Sequence, residues 1–228
     1  HRKSTMSILS HPLSHHFART FHLGHLRPPR DFLPITNLPI CLEIGAGKGK
    51  HALLFASQNP DKHLYAIERT ALKFEAFDKH AGKANLPNLS VIHADAIAWT
   101  AFAVHPRQIQ TCFILYPNPE PKNKNQRFLN MPFFELLLSK MSDGGQIILA
   151  SNVRDYIDEA EQLLANVWHL PYIKRQIEPT SVRTHFEIKY LARGECCQEL
   201  IITKPCGYRT RFDQTLPLYL SWMPTDET

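Results

Sequence analysis

A doubly wound α/β sheet, mostly parallel and ending in an antiparallel hairpin, is the fold this chain predicts, on three observations. Short apolar runs alternate with amphipathic helical patterns from residue 40 to residue 168, the rhythm of repeated βα units. The first apolar run passes into a glycine-rich turn at the start of a helix. The fourth ends in a polar, proline-rich loop, where an open α/β sheet places its ligand crevice.

Taken in order, residues 1–34 read as a basic N-terminal arm. Arg2, Lys3, Arg19, Arg27 and Arg30 fall there with six histidines, and the first acid is Asp31. Such a composition serves either a flexible arm for a polyanion or a disordered leader. The sequence opens on His1 rather than Met, which leaves the true N-terminus open. The fold is expected over residues 35–204. Strand 40–44 runs into Gly45, Gly47 and Gly49, and helix 49–57 follows. Strand 63–67, helix 70–82, strand 89–93 and a short helix at 96–103 repeat the unit, and strand 111–116 is the fourth. A helix over 126–141, stopped by Asp143-Gly144-Gly145, leads to strand 146–151. Helix 154–168 places Ile157, Ala160, Leu164 and Val167 on one face. Residues 184–191 and 196–203, around Arg193-Gly194, are expected to pair as the closing hairpin, with 205–228 as a C-terminal tail.

The strand ends carry the chemistry. Gly45, Gly47 and Gly49 let the backbone turn tightly and approach a ligand that Cβ atoms would exclude. Their spacing departs from the dinucleotide fingerprint G-x-G-x-x-G/A, and His51 stands where a phosphate loop needs Ser or Thr. An acid, Glu43, precedes the first glycine by two residues, the order an S-adenosylmethionine site uses. Glu68, 23 residues after Gly45, ends the second strand, where a carboxylate can accept both ribose hydroxyls. Asp95-Ala96 follows the third, within reach of an adenine amino group. After the fourth, Pro117, Pro119 and Pro121 end the strand and restrict Asn118 and Lys122 to few positions.

Other chemistries lack their residues. The five cysteines (Cys41, Cys112, Cys196, Cys197, Cys206) form no C-x-x-C, and the thirteen histidines form no H-E-x-x-H, so no metal is expected and the thiols read as reduced. No apolar run approaches the roughly 18 residues of a membrane span, and the N-terminus lacks a signal core. The reading is a cytoplasmic protein without membrane attachment, with monomer and homodimer both open. A net charge of +5 favours an anionic partner.

LEIGAGKG, AIER, HADA, YPNPEPK, SDGGQIILASNVRDY and RTHFE occur in this order, and together they resemble the bacterial, TrmB-like tRNA (guanine-N7)-methyltransferases. The resemblance implies a Rossmann-like, class I S-adenosylmethionine-dependent methyltransferase with tRNA as partner and S-adenosylhomocysteine as product. It places cofactor contacts at Glu43, Gly45, Gly47, Gly49, Glu68, Asp95 and Ala96. The family's catalytic and cofactor-contacting loop aspartate falls on Asn118, and its substrate lysine on Lys122. A second substrate aspartate falls on Asn152, and the guanine-contacting segment on Thr184, His185, Phe186 and Glu187. Both aspartates are therefore asparagine here. The basic run after the loop is reduced to Lys122, Lys124 and Arg127, which with Arg183 are expected on phosphates. These departures keep open a methyltransferase with another substrate and a weakly catalytic, RNA-binding relative.

Overall fold

The computed structural model describes residues 21–35 and 39–222. The arm's Arg2, Lys3 and Arg19 lie outside the described residues. Seven strands form one sheet in the order β3-β2-β1-β4-β5-β7-β6. They are β1 Ile40–Ile44, β2 Leu64–Glu68, β3 Leu89–His93, β4 Ile109–Leu115, β5 Met141–Ser151, β6 Tyr172–Gln176 and β7 Gln198–Thr203. The first five pair in parallel, while β7 runs antiparallel to both β5 and β6. Helices α1 Lys50–Gln58, α2 Ala71–Ala84, α3 Ala96–Ala103, α4 Phe133–Lys140, α5 Arg154–Leu163 and α6 His185–Ala192 complete it.

The central strand is buried on both faces, as a parallel strand between helical layers must be, and every residue of β1 is buried. Strand order reverses between β1 and β4, where β2 and β3 lie to one side and β5 to the other. That switch point leaves a crevice at the carboxyl ends of β1 and β4, so the glycine turn and the proline loop share one opening.

Three elements depart from the sequence reading. The helix expected over 126–141 is two 3₁₀ turns, Lys124–Gln126 and Phe128–Asn130, followed by α4. Pro132 explains the break: it forces Met131 into extended backbone (φ −95°, ψ 145°), so α4 begins only beyond it. Strand β5 starts at Met141 rather than 146, because Asp143-Gly144-Gly145 forms a bulge instead of a stop. Its pairing steps from Ile109↔Met141 to Thr111↔Gln146, and Gly144 takes φ +75°.

The closing antiparallel pair is present, but residues 184–191 are not part of it. They begin α6, and the partner of β7 is β6. The Thr184 hydroxyl accepts from the Glu187 N–H at 2.8 Å, so Thr-x-x-Glu opens a helix. Residues 205–222 run back along the domain: Tyr208, Phe212 and Leu218 pack against the main core. Arg211 grips the buried Glu135 carboxylate with two nitrogens, and Lys140 Nζ donates to the Thr215 carbonyl at 2.7 Å. From the amino-terminal side, Phe21 meets Phe212 edge to face.

Candidate functional site

The glycine turn is built by two different demands. Gly45 and Gly47 take φ +76° and +60°, and a Cβ on either would meet nothing within 4 Å. Their backbone therefore lies against open space, and glycine is needed there for conformation. Gly49 takes φ +88°, and its Cβ would stand 2.0 Å from Cδ1 of buried Phe77 on α2. There glycine is needed for conformation and for close packing. The N–H groups of Gly45 and Ala46 donate to the Ile67 carbonyl at 3.0 and 2.9 Å, which fastens the turn to β2.

Glu68 extends that fastening. Its Oε1 accepts from the Gly47 N–H at 2.9 Å and its Oε2 from the Thr70 N–H at 2.8 Å, so the carboxylate is fixed at the lip of the turn. Asp95 caps α3, its Oδ1 accepting from the N–H groups of Ile97 and Ala98 at 2.9 and 3.2 Å, with the carboxylate exposed. Across the opening, Asn118 Oδ1 accepts from the Glu120 N–H at 3.1 Å, closing a local turn. Tyr116 and Glu120 flank it with φ of +54° and +46°, a strained backbone for residues other than glycine.

One cleft of about 840 Å³ brings these groups together. Gly45, Gly47, Glu68, Asp95 and Ala96 line one part, and Asn118, Asn152 and Phe186 line another. The remaining expected residues stand outside its lining. Glu43 is buried beneath the turn, its carboxylate bonded to Nδ1 of His51 on α1. Gly49 packs on Phe77, and Thr184 is the buried cap of α6. Lys122 and His185 are exposed and are not among the residues that line the cleft.

Glu187 has the most enclosed position of the set. It is 0% exposed, and both its oxygens accept from Arg183 Nε, at 3.0 and 2.9 Å. The Ser181 and Tyr116 hydroxyls donate to it as well. Arg183 Nη1 reaches on to Glu199 at 2.8 Å, and Arg175 binds the same carboxylate. Burial drives the Tyr116 hydroxyl pKa upward, and the bond to the Glu187 carboxylate adds to it, so Tyr116 stays a donor. Burial works to lower the Arg183 pKa, but the charges of Glu187 and Glu199 outweigh it and hold it raised. Arg127 is likewise 3% exposed, donating to the Pro119 carbonyl at 2.7 Å and to Asp155 at 3.0 Å. It braces the proline loop from within. Neither arginine is a free phosphate contact.

Sequence reasoning missed Tyr116, Tyr190 and Lys73, all of which line the cleft. Phe186 stacks on Tyr190 (6.0 Å, 20°), Tyr116 approaches Tyr190 at 5.7 Å, and Lys73 Nζ sits 5.6 Å from the Phe186 ring centre. Phe186 and Tyr190 lie four residues apart, and that i,i+4 spacing could have shown them once α6 was read as a helix. Among the described residues no cluster of His, Cys, Asp and Glu could hold a metal ion, and no helix is long and apolar enough to cross a membrane.

Known proteins share this fold. The structure resembles a 16S rRNA methyltransferase named KamB (TM-score 0.59, 18% identity, 73% of this chain and 88% of that one). It also resembles a SAM-dependent methyltransferase from Aquifex aeolicus (TM-score 0.51, 14% identity, 73% and 84%). Sheet order, glycine turn and strand-end acids define the class I methyltransferase fold. A family model described as "Putative methyltransferase" matches residues 37–200, and the chain belongs to that family. Similar curated proteins carry the name tRNA (guanine-N(7)-)-methyltransferase. The one from Nitrosospira multiformis is 29% identical over 174 residues, covering 74% of this chain and 76% of its own length. The one from Buchnera aphidicola is 26% identical over 139 residues, and the match spans 60% of this chain but only 57% of that protein's length.

Proposed function

We propose that the chain transfers a methyl group from S-adenosylmethionine to N7 of a guanine in tRNA. The observation that carries this reading is the single cleft in which the glycine turn, Glu68 and Asp95 face Asn118, Asn152 and Phe186. The curated relatives' shared name agrees with it.

The residues present fit S-adenosylmethionine. Bare backbone at Gly45 and Gly47 borders open space, Glu68 offers a fixed carboxylate for a diol, and Asp95 offers an acceptor for an amino group. When bound, the cofactor supplies an electrophilic methyl on a sulfonium. Guanine N7 carries a lone pair and no proton, so the chain need supply no general base. Its task is alignment and stabilisation of positive charge moving onto the base. Asn118 faces that task from the proline loop, which Arg127 and Tyr116 hold in place. Phe186 and Tyr190 offer a flat apolar face for a base, a contact worth about 1–3 kcal/mol in single-strand recognition. Lys73 and Lys122 remain for phosphates, and a tRNA substrate agrees with a cytoplasmic reaction.

The test is incubation with labelled S-adenosylmethionine and total tRNA, followed by nucleoside identification. Label in 7-methylguanosine supports the reading. Label in a small molecule or protein overturns the substrate, and cofactor binding without transfer to any acceptor marks a non-catalytic RNA-binding relative.

Two substitutions refine it. Glu68→Ala should weaken cofactor binding by about 1.5–3 kcal/mol, the scale of hydrogen bonds to a charged group. It also frees the Gly47 N–H, so the loss should appear in calorimetry with the fold intact by circular dichroism; unchanged affinity would remove Glu68 from the site. Asn118→Asp keeps the acceptor that closes the local turn and adds a negative charge beside the developing positive one, so turnover should hold or rise. Asn118→Ala deletes the side-chain amide and the turn it closes, and loss of one preorganised contact costs about 2.7–4 kcal/mol in transition-state stability. Single-turnover rates on unmodified tRNA decide. An Ala variant as fast as wild type excludes Asn118 from catalysis, and an Asp variant without activity argues against guanine N7.

A further inference from the structure

Asn152 directly follows β5 at the strand's carboxyl end and lines the cleft. Nδ2 donates to Glu195 Oε1 at 3.2 Å, from the loop between α6 and β7. The other oxygen, Oε2, is sealed from solvent and accepts nothing among the described residues, so Asn152 is the carboxylate's side-chain donor there. A carboxylate only accepts, so it draws the amide nitrogen toward itself and turns the carbonyl oxygen away. No donor among the described residues occupies Asn152 Oδ1.

We infer that Glu195 is a positioning residue: it locks Asn152 so that Oδ1 faces the cleft as an acceptor for the N–H donors on the guanine edge. This inference rests on the proposed guanine reading. Guanine presents N1–H and an N2 amino group, and adenine has an acceptor at N1, so an acceptor fixed at Asn152 favours guanine. An unlocked amide could rotate to offer either polarity and would lose that preference. The negative charge that a carboxylate at position 152 would bring is here one hydrogen bond removed, on Glu195, behind a neutral relay.

Two measurements test this. In ¹H–¹⁵N spectra, the Asn152 side-chain amide is assigned by its disappearance in Asn152→Asp. One of its protons should be shifted downfield in the wild-type protein and should move back upfield in Glu195→Gln, whose neutral amide oxygen accepts more weakly than a carboxylate. Steady-state transfer to unmodified tRNA should show Glu195→Gln lowering kcat/KM about tenfold, the effect of one misdirected hydrogen bond, mainly through KM and with cofactor affinity unchanged. Asn152→Asp alone sets two carboxylates face to face and should lose more. The Asn152→Asp/Glu195→Gln double variant restores one donor between the groups and should recover at least part of the loss. An amide signal indifferent to Glu195→Gln overturns the lock. A double variant worse than either single one overturns the positioning role, since a merely structural Glu195 would lower stability and cofactor binding without rescue. Absence of methyl transfer to tRNA by the wild-type protein overturns the guanine assignment instead, and the amide spectrum then decides the lock separately.

Discussion

Gly49→Ala should yield a protein that is severely destabilised and binds cofactor poorly, although the change adds one methyl group. The new Cβ would stand 2.0 Å from Phe77 Cδ1 and 2.4 Å from Cε1, far inside contact distance, and the ring cannot retreat because Phe77 is completely buried. Overpacking of this kind costs about 1–3 kcal/mol. Holding a non-glycine residue at φ +88° adds about 1–3 kcal/mol more. The sum is a large fraction of the roughly 5–15 kcal/mol by which domains are stable. At about 2–4 °C per kcal/mol for a chain of this size, the melting temperature should fall by roughly 5–20 °C. Gly45→Ala makes the control, because its Cβ meets no atom within 4 Å and only the conformational part applies. Equal melting temperatures for the two variants would show that the Phe77 contact does not matter.

That contrast also shows what the sequence could disclose. Alternating apolar runs located the parallel strands, since a strand buried on both faces must be apolar throughout and residues 40–44 and 112–115 are nearly so. Strand ends then placed Glu68, Asp95 and Asn118 together, because topology alone brings those ends to one crevice. Beyond that, pattern gave way to tertiary context. Residues 184–191 alternate loosely enough to suggest a strand, and the Thr184 cap was the local signal for a helix. Strand β6 is an exposed edge with Lys174 and Arg175, so it lacks the apolar run that marks an inner strand. The burial of Arg127, Arg183 and Glu187 was not legible, because a charge pattern, even the i,i+4 spacing of Arg183 and Glu187, carries no sign of burial or of partners distant in the chain. Only the fold brings Asp155 to Arg127 and Tyr116 to Glu187.

Glu187→Ala should cost about 3–5 kcal/mol of folding stability, the range for removing one partner from a buried ion pair. The variant strands Arg183, one-fifth exposed, with Glu199 as its remaining carboxylate, and leaves the Ser181 and Tyr116 hydroxyls without their acceptor. The consequence should reach the cleft. Tyr116 immediately precedes Pro117-Asn118-Pro119 and holds φ +54°, a conformation that persists only while its surroundings enforce it. Without Glu187 the ring loses its tether, and the loop that carries Asn118 should relax. Transfer rate should therefore fall even at temperatures where the variant is folded. Tyr116→Phe separates the two effects: it keeps the Arg183 pair, removes one donor from Glu187, and should cost about 1–3 kcal/mol. If Glu187 instead read the base directly, Glu187→Ala would melt like wild type in urea and raise KM for tRNA alone. Urea midpoints for both variants, set beside single-turnover rates, tell these apart. A Glu187→Ala midpoint within error of wild type would dismiss the structural role assigned to this carboxylate.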